Sequence, residues 1–250
     1  MELLVVLSYV LFREKRIRLF SKNPFHRNAA LSRDYRNVAV PVVLTNLLWS
    51  LATPIQTGIL GHLSSDAIAA NSVSTTMFQY LKVVTVSEAS ATSVSVGKMV
   101  GEGRNSKEEL QPYVRALQLI FLLLGLVLGG ILLAIRQPLL RLYVLSPTAK
   151  ALANQLLLLM VLIFVGMAYQ MPASVGIIRG GGETKFNMHL NLISTWAIVM
   201  PLSFAAAFWW KLPVFWVVFF LNSDQLFKCI PILYYTNSYR WIHVLTRESS

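Results

Sequence analysis

Six long apolar stretches, residues 38–60, 72–100, 117–135, 151–178, 186–210 and 214–235, fill most of this 250-residue chain. The hydrocarbon core of a bilayer is about 30 Å thick and is crossed by about 20 residues of helix, so each stretch is long enough to span. The expected fold is all-α: a polytopic membrane protein with a six-transmembrane-helix bundle over residues 37–250. A mean hydropathy of +0.57 with only 13% charged residues lies outside the range of ordinary soluble domains.

The basic residues sort to one side. Six crossings put both termini and every second loop on one face. That face receives Arg13, Lys15, Arg16, Arg18, Lys22, Arg27, Arg33 and Arg36, then Lys98, Arg104, Lys107 and Arg115, then Arg179 and Lys185, then Arg240 and Arg247. The other face holds Arg136, Arg141, Lys150 and Lys211, and Lys82 and Lys228 fall inside spans. By the positive-inside rule both ends of the chain are cytoplasmic. The net charge of +11 is therefore expected to face anionic lipid, which favours each juxtamembrane Lys or Arg by about 1 kcal/mol, with no nucleic acid as partner.

Residues 1–36 read differently from the rest. An apolar run of eleven residues, 2–12, precedes Arg13-Glu14-Lys15-Arg16, the reverse order of a secretory signal. It reads as the cytoplasmic end of a preceding helix followed by a basic linker, with a short interfacial anchor as the alternative. Cys229 is the single cysteine, which excludes an intramolecular disulfide; helix packing is its expected role.

Polar side chains inside the spans carry the functional information, because a bilayer tolerates them where they face a cavity or another helix. Asn46, Ser50, Thr53 and Thr57 share one face of the first span, flanked by Pro41 and Pro54. The second span is polar almost all round, with Thr85, Glu88, Thr92 and Ser95 forming a stripe. Glu88 is a candidate to exchange a proton or to hold Na⁺ transiently; satisfaction by a neighbouring helix is the structural alternative. Lys82 lies about 240° round the helix from Glu88 and is not its intrahelical partner. In the last span Asp224 and Lys228, at i and i+4, can neutralise each other, with a cation or substrate contact as the second reading of Asp224. Asn191, Ser194 and Thr195 add polarity to the fifth span, which also carries Pro201. The third span is Leu-rich, with Gly125, Gly129 and Gly130, and reads as a lipid-facing support.

Catalytic constellations do not appear. His26, His62, His189 and His243 lack zinc spacing, and no Gly-x-Ser-x-Gly elbow or paired carboxylates are present. Neither an enzyme nor a cofactor is expected. Gly180, Gly181 and Gly182 follow no strand and precede no Walker lysine pattern, and read as a flexible connector between spans.

Ordered segments of the chain resemble the multidrug and toxic compound extrusion (MATE) transporters, specifically their C-terminal six-helix half. They are Val40-Pro41 through Leu48-Trp49-Ser50, Gly61-His62-Leu63 with Asp66-Ala67-Ile68-Ala69-Ala70-Asn71, Val96-Gly97 with Gly101-Glu102-Gly103, and Arg179-Gly180-Gly181-Gly182-Glu183-Thr184-Lys185. The resemblance runs from about residue 37 to the end. It implies one lobe of a twelve-helix alternating antiporter that exports organic cations against Na⁺ or H⁺ across the plasma membrane. The other lobe would be a missing N-terminal half or a second copy of this chain. Glu183 closes the family's Arg-Gly-x-x-acid motif and is a candidate for cation coupling, with a loop carboxylate close to Lys185 as the alternative. Asn46 stands where the family carries a first-helix carboxylate; its carbonyl can coordinate Na⁺ but cannot titrate. The candidate cation and substrate residues are thus Asn46, Thr53, Glu88, Glu183, Asn191 and Asp224. The rival expectations are a flippase for a lipid-linked saccharide and a non-transporting scaffold.

Overall fold

The computed structural model describes residues 29–103 and 106–243; the proposed end of a preceding helix and most of the basic linker lie outside the described residues. Six helical rods follow one another: α1 Ala29–Gly61, α2 Ser65–Gly101, α3 Lys107–Leu142, α4 Pro147–Ile178, α5 Lys185–Trp209 and α6 Val214–Ser238. Compact packing divides the chain between Asn37 and Val38; in the first part the described residues are the opening turns of α1. Five of the rods are long and apolar enough to cross a membrane. The exception is α2, whose 37 residues reach about 55 Å at 1.5 Å per residue but whose composition is too polar to qualify on hydropathy.

Local signals start the rods where serines allow it. Ser64, Ser106 and Ser146 accept hydrogen bonds from the backbone N–H groups of Ala67, Glu109 and Ala149, satisfying donors that the first helical turn leaves free. Pro147 follows Ser146 at the first helical position, where its missing N–H costs nothing. Asp66, in the first turn of α2, accepts from the hydroxyls of Ser146 and Thr148 at the start of α4, tying two helix N-termini together.

The centre of the bundle is α4. It packs against α2, α3 and α6, while α5 leans chiefly on α6. Glycine makes these crossings close. A Cβ on Gly125 would come within 2.8 Å of the Ala168 Cβ, and one on Gly129 within 3.4 Å of Val165. The small face of α3 is thus consumed inside the chain, and its leucine-rich remainder, including Leu119, Leu122, Leu123 and Leu126, stays exposed. On the other side of α4 a Gly166 Cβ would meet the Gln225 carbonyl at 2.8 Å, and a Gly176 Cβ would meet Thr92 at 2.7 Å.

That last contact revises the expected polar stripe of α2. Thr85, Ala89, Thr92 and Val96 are buried, and Thr85 Oγ1 also lies 3.9 Å from Met171 Sδ. They form the face that receives α4, because small side chains at this spacing let two backbones approach. Glu88 and Ser95 fall on the flank of this face and are half-buried.

Gly180 to Gly182 are not a flexible connector. A Cβ on Gly180 would sit 2.9 Å from Ser93 Cα, and one on Gly181 would enter the ring of Trp241, which is fully buried. Gly182 adopts φ +102°, a region open to glycine without cost. The loop is further closed by bonds from Gly181 N to the Ile177 carbonyl and from Glu183 N to the Ile178 carbonyl. Close approach of α2 and of the chain after α6 explains Gly180 and Gly181, and the positive φ explains Gly182.

Two outcomes are expected. Gly125→Val should destabilise the bundle by about 1–3 kcal/mol through overpacking, whereas Gly130→Ala, which meets nothing, should leave the midpoint of thermal unfolding in detergent unchanged. The hydroxyls of Thr148 and Ser146 hold the Asp66 carboxylate below its usual 3.8. A lowered value favours the folded state fully above 3.8 and loses that contribution as pH falls through the lowered value. The stability difference between wild type and Asp66→Asn should therefore be constant near neutrality and shrink only in strong acid.

Candidate functional site

Three neighbouring rods depart from regular α-helix. In α4 the α-helix runs Pro147–Met171 and continues as wide π turns over Pro172–Ile178; in α5 the turns over Leu192–Val199 are wide in the same way. Pro172 lacks the N–H that would bond to the Ala168 carbonyl, and Pro201 lacks the one for Ala197, so regular bonding cannot continue through either. The third rod, α6, is interrupted at Ser223 and Lys228, between Val214–Asn222, Asp224–Phe227 and Cys229–Ser238. Short π segments inside helices recur at functional sites, and here they border a continuous buried hydrogen-bond network.

The network starts on α4. Ser174 Oγ donates to Asn187 Oδ1 at 2.6 Å, and Asn187 Nδ2 returns a bond to the Ser174 carbonyl at 2.8 Å. Asn191 Nδ2, one turn further along α5, donates to the Asn187 carbonyl at 2.8 Å. Its Oδ1 accepts from Lys228 Nζ at 2.9 Å, and the same ammonium donates to Asp224 Oδ2 at 2.8 Å. Gln225 Nε2 donates to that carboxylate oxygen at 2.9 Å, and Gln170 Nε2 on α4 donates to Gln225 Oε1 at 2.8 Å. Lys228 and Asp224 are both buried, so the i,i+4 ion pair expected from the sequence is present and desolvated. Asn191 and Asp224 are thereby joined through one ammonium, which spacing along the chain does not reveal. Gln170, Ser174 and Asn187 also belong here, and no spacing within their own rods singles them out.

The remaining candidates stand apart from this network. Asn46 and Thr53 are exposed on α1, little of which is buried, and Thr53 Oγ1 donates to the Trp49 carbonyl one turn back. Glu88 on α2 is half-buried, and its Oε2 is shielded without a hydrogen-bond partner among the described residues. Glu183 is drawn not to the Lys185 ammonium but to backbone: its Oε1 accepts from the N–H groups of Lys185 and Phe186 at 2.8 and 3.0 Å. Its Oε2 lies 3.0 Å from His243 Nε2, and His243 N donates to the Gly181 carbonyl. Glu183 therefore caps α5 and holds the chain after α6 against the glycine loop.

Two open, apolar pockets border α5 among the described residues. One, of about 270 Å³, lies between Ile55 of α1 and Trp196, Met200, Pro201 and Phe204 of α5. No group of three or more His, Cys, Asp or Glu residues that could hold a metal occurs among the described residues.

A profile of the family described as MatE matches residues 41–205. The chain belongs to the MatE family. Among curated MatE relatives, the probable multidrug resistance protein NorM of Xylella fastidiosa (strain Temecula1 / ATCC 700964) is 26% identical over 176 residues, 70% of this chain and 37% of that protein. The probable multidrug resistance protein NorM of Thermotoga maritima is 22% identical over 247 residues, 97% of this chain and 52% of that protein. The chain spans about half the length, or less, of the curated relatives it matches. A crystal structure of a MATE point mutant superposes with a TM-score of 0.77 at 16% identity, covering 94% of this chain and 52% of the other. The fold is that of a polytopic helical membrane protein of the MATE type, and the match to about half of that structure fits a single six-helix lobe.

The network generates one stability prediction. Asp224→Asn leaves the buried Lys228 ammonium without its counter-charge, which should cost about 3–5 kcal/mol. The double variant Asp224→Asn with Lys228→Met should recover most of the lost midpoint in thermal unfolding. No recovery would show that the carboxylate is held for something other than this lysine.

Proposed function

We propose that the chain works as the C-terminal lobe of a cation-coupled antiporter that exports lipophilic organic cations, and that Glu88 carries the coupling ion, H⁺ or Na⁺. The observation that carries this reading is the contrast between Glu88 and Asp224, carboxylates near the middle of α2 and α6. Asp224 is neutralised by Lys228, whereas Glu88 keeps a shielded oxygen with no partner among the described residues. An ionisable group left unpaired inside a membrane is the group able to take up and release an ion. Membership of the MatE family, whose profile covers residues 41–205, supports transport over catalysis, so the chain is read as no enzyme. The named multidrug resistance relatives support organic cations as the substrate class.

In this reading the buried Asn191–Lys228–Asp224 network is a rigid hub, and the open polar faces of α1 and α2 meet a second lobe. That lobe is an N-terminal half or a second copy of this chain. Asn46 and Thr53 would then line the space between lobes, and Asn46 offers a carbonyl oxygen but no proton. The one-sided distribution of Lys and Arg supports a plasma-membrane protein with both termini in the cytoplasm. An inward potential of 100 mV supplies about 2.3 kcal/mol for each charge moved, so one or two ions suffice for useful accumulation ratios.

The test is efflux from cells lacking their own exporters, with the chain joined to its complementary lobe. Glu88→Gln should reduce gradient-driven efflux at least tenfold, on the order of the 1.4 kcal/mol that one decade represents, while expression is unchanged. Asp224→Asn paired with Lys228→Met should retain more efflux than Glu88→Gln. Undiminished ion-driven export by Glu88→Gln would refute the assignment.

A further inference from the structure

Lys82, midway along α2, has no carboxylate and no hydrogen-bond acceptor in reach among the described residues, in contrast to Lys228 with its two. Its ammonium instead lies over the indole of Trp49, 4.7 Å from the ring centroid. This contact joins α2 to α1, a rod that otherwise packs little against the bundle. Trp49 remains 51% exposed with the ammonium on it, so much of the indole is open. Its position is telling: spacings of three from Asn46 and four to Thr53 put it on the polar side of α1.

The physics of this pair is asymmetric. A ring quadrupole attracts any cation that comes to its face, tryptophan most strongly. A primary ammonium is a compact, strongly hydrated charge, and giving up that water offsets much of the attraction. A quaternary ammonium or phosphonium carries its charge under alkyl or aryl groups and has little water to lose. In free competition the lipophilic cation therefore takes the ring. Lys82 competes only because its stem holds it there at a high effective concentration.

We propose that the Trp49 indole is a binding face for lipophilic quaternary cations, and that Lys82 is a tethered competitor occupying this face when no such cation is bound. Arrival of the ligand frees the Lys82 ammonium, which cannot turn to Glu88 on the far side of the same helix. The link between α1 and α2 is thereby broken, so occupancy of the site loosens α1 from the bundle. The inference rests on the export reading only for the class of substrate, and binding can be measured without transport.

The experiment is equilibrium binding of radiolabelled tetraphenylphosphonium to the purified chain in lipid nanodiscs. Lys82→Gln removes the competitor and should tighten binding about tenfold, and Trp49→Leu should weaken it by about the same factor. Trp49→Phe should fall between wild type and Trp49→Leu, and Lys82→Arg, whose guanidinium is less hydrated and stacks better on the ring, should bind more weakly than wild type. Unchanged or weaker binding by Lys82→Gln overturns the proposal, as does wild-type affinity in Trp49→Leu. If Trp49→Leu does not yield a monodisperse protein, Lys82→Gln and Trp49→Phe still decide. Failure here with intact efflux leaves the export reading standing; correct binding shifts with no gradient-driven efflux sink that reading and keep this one.

Discussion

A bilayer offers no water to a buried charge, and the bond from Lys228 to Asp224 and Asn191 is where this bundle meets that constraint. Two ionised groups desolvated together gain enough from each other only when geometry is good and leftover donors and acceptors are filled. Asn191 takes a second ammonium hydrogen, Gln225 a second approach to the carboxylate, and Gln170 and Asn187 extend the pattern to α4 and α5. The result welds three rods whose own backbones are irregular there. The wide turns of α4 take a bond from a neighbouring rod, Asn187 Nδ2 donating to the Ser174 carbonyl, the kind of support that makes such irregularity tolerable in a membrane.

Around this hub the packing is set by absent side chains as much as by present ones. Gly125, Gly129, Gly166 and Gly176 each mark a place where α4 comes so near another rod that a methyl group would collide or be tightly crowded. Hydrophobic burial cannot order helices among lipid tails, since leucine is as well solvated by lipid as by protein; close backbone contact supplies the attraction instead. The knot around the glycine loop obeys the same logic. Trp241 fills the space left by Gly181 and donates its Nε1–H to the Thr236 carbonyl, while Glu183 caps α5 and engages His243.

Against this tight core, α1 and the outer face of α2 are conspicuous for what they leave open. Asn46, Thr53 and Trp49 are exposed on α1, Glu88 keeps an oxygen unpartnered among the described residues, and Lys82 finds only the Trp49 ring there. These groups leave bonding capacity unused on an open face, whereas the Lys228 network fills its own.

Composition and spacing alone pointed to six rods, their approximate limits and the Asp224–Lys228 pair, and ordered motifs carried the resemblance later matched by the MatE profile. These are properties of single segments: length against bilayer thickness, and angle around one helix. Whether Thr85 and Thr92 line a vestibule or a helix contact, which partner Glu183 takes, and why three glycines stand in a row depended on which rods become neighbours. Spacing along one helix cannot say which neighbour fills the space beside it. The union of Asn191 with Lys228, 37 residues apart, and the perch of Lys82 on Trp49 arise only when separate helices are set side by side.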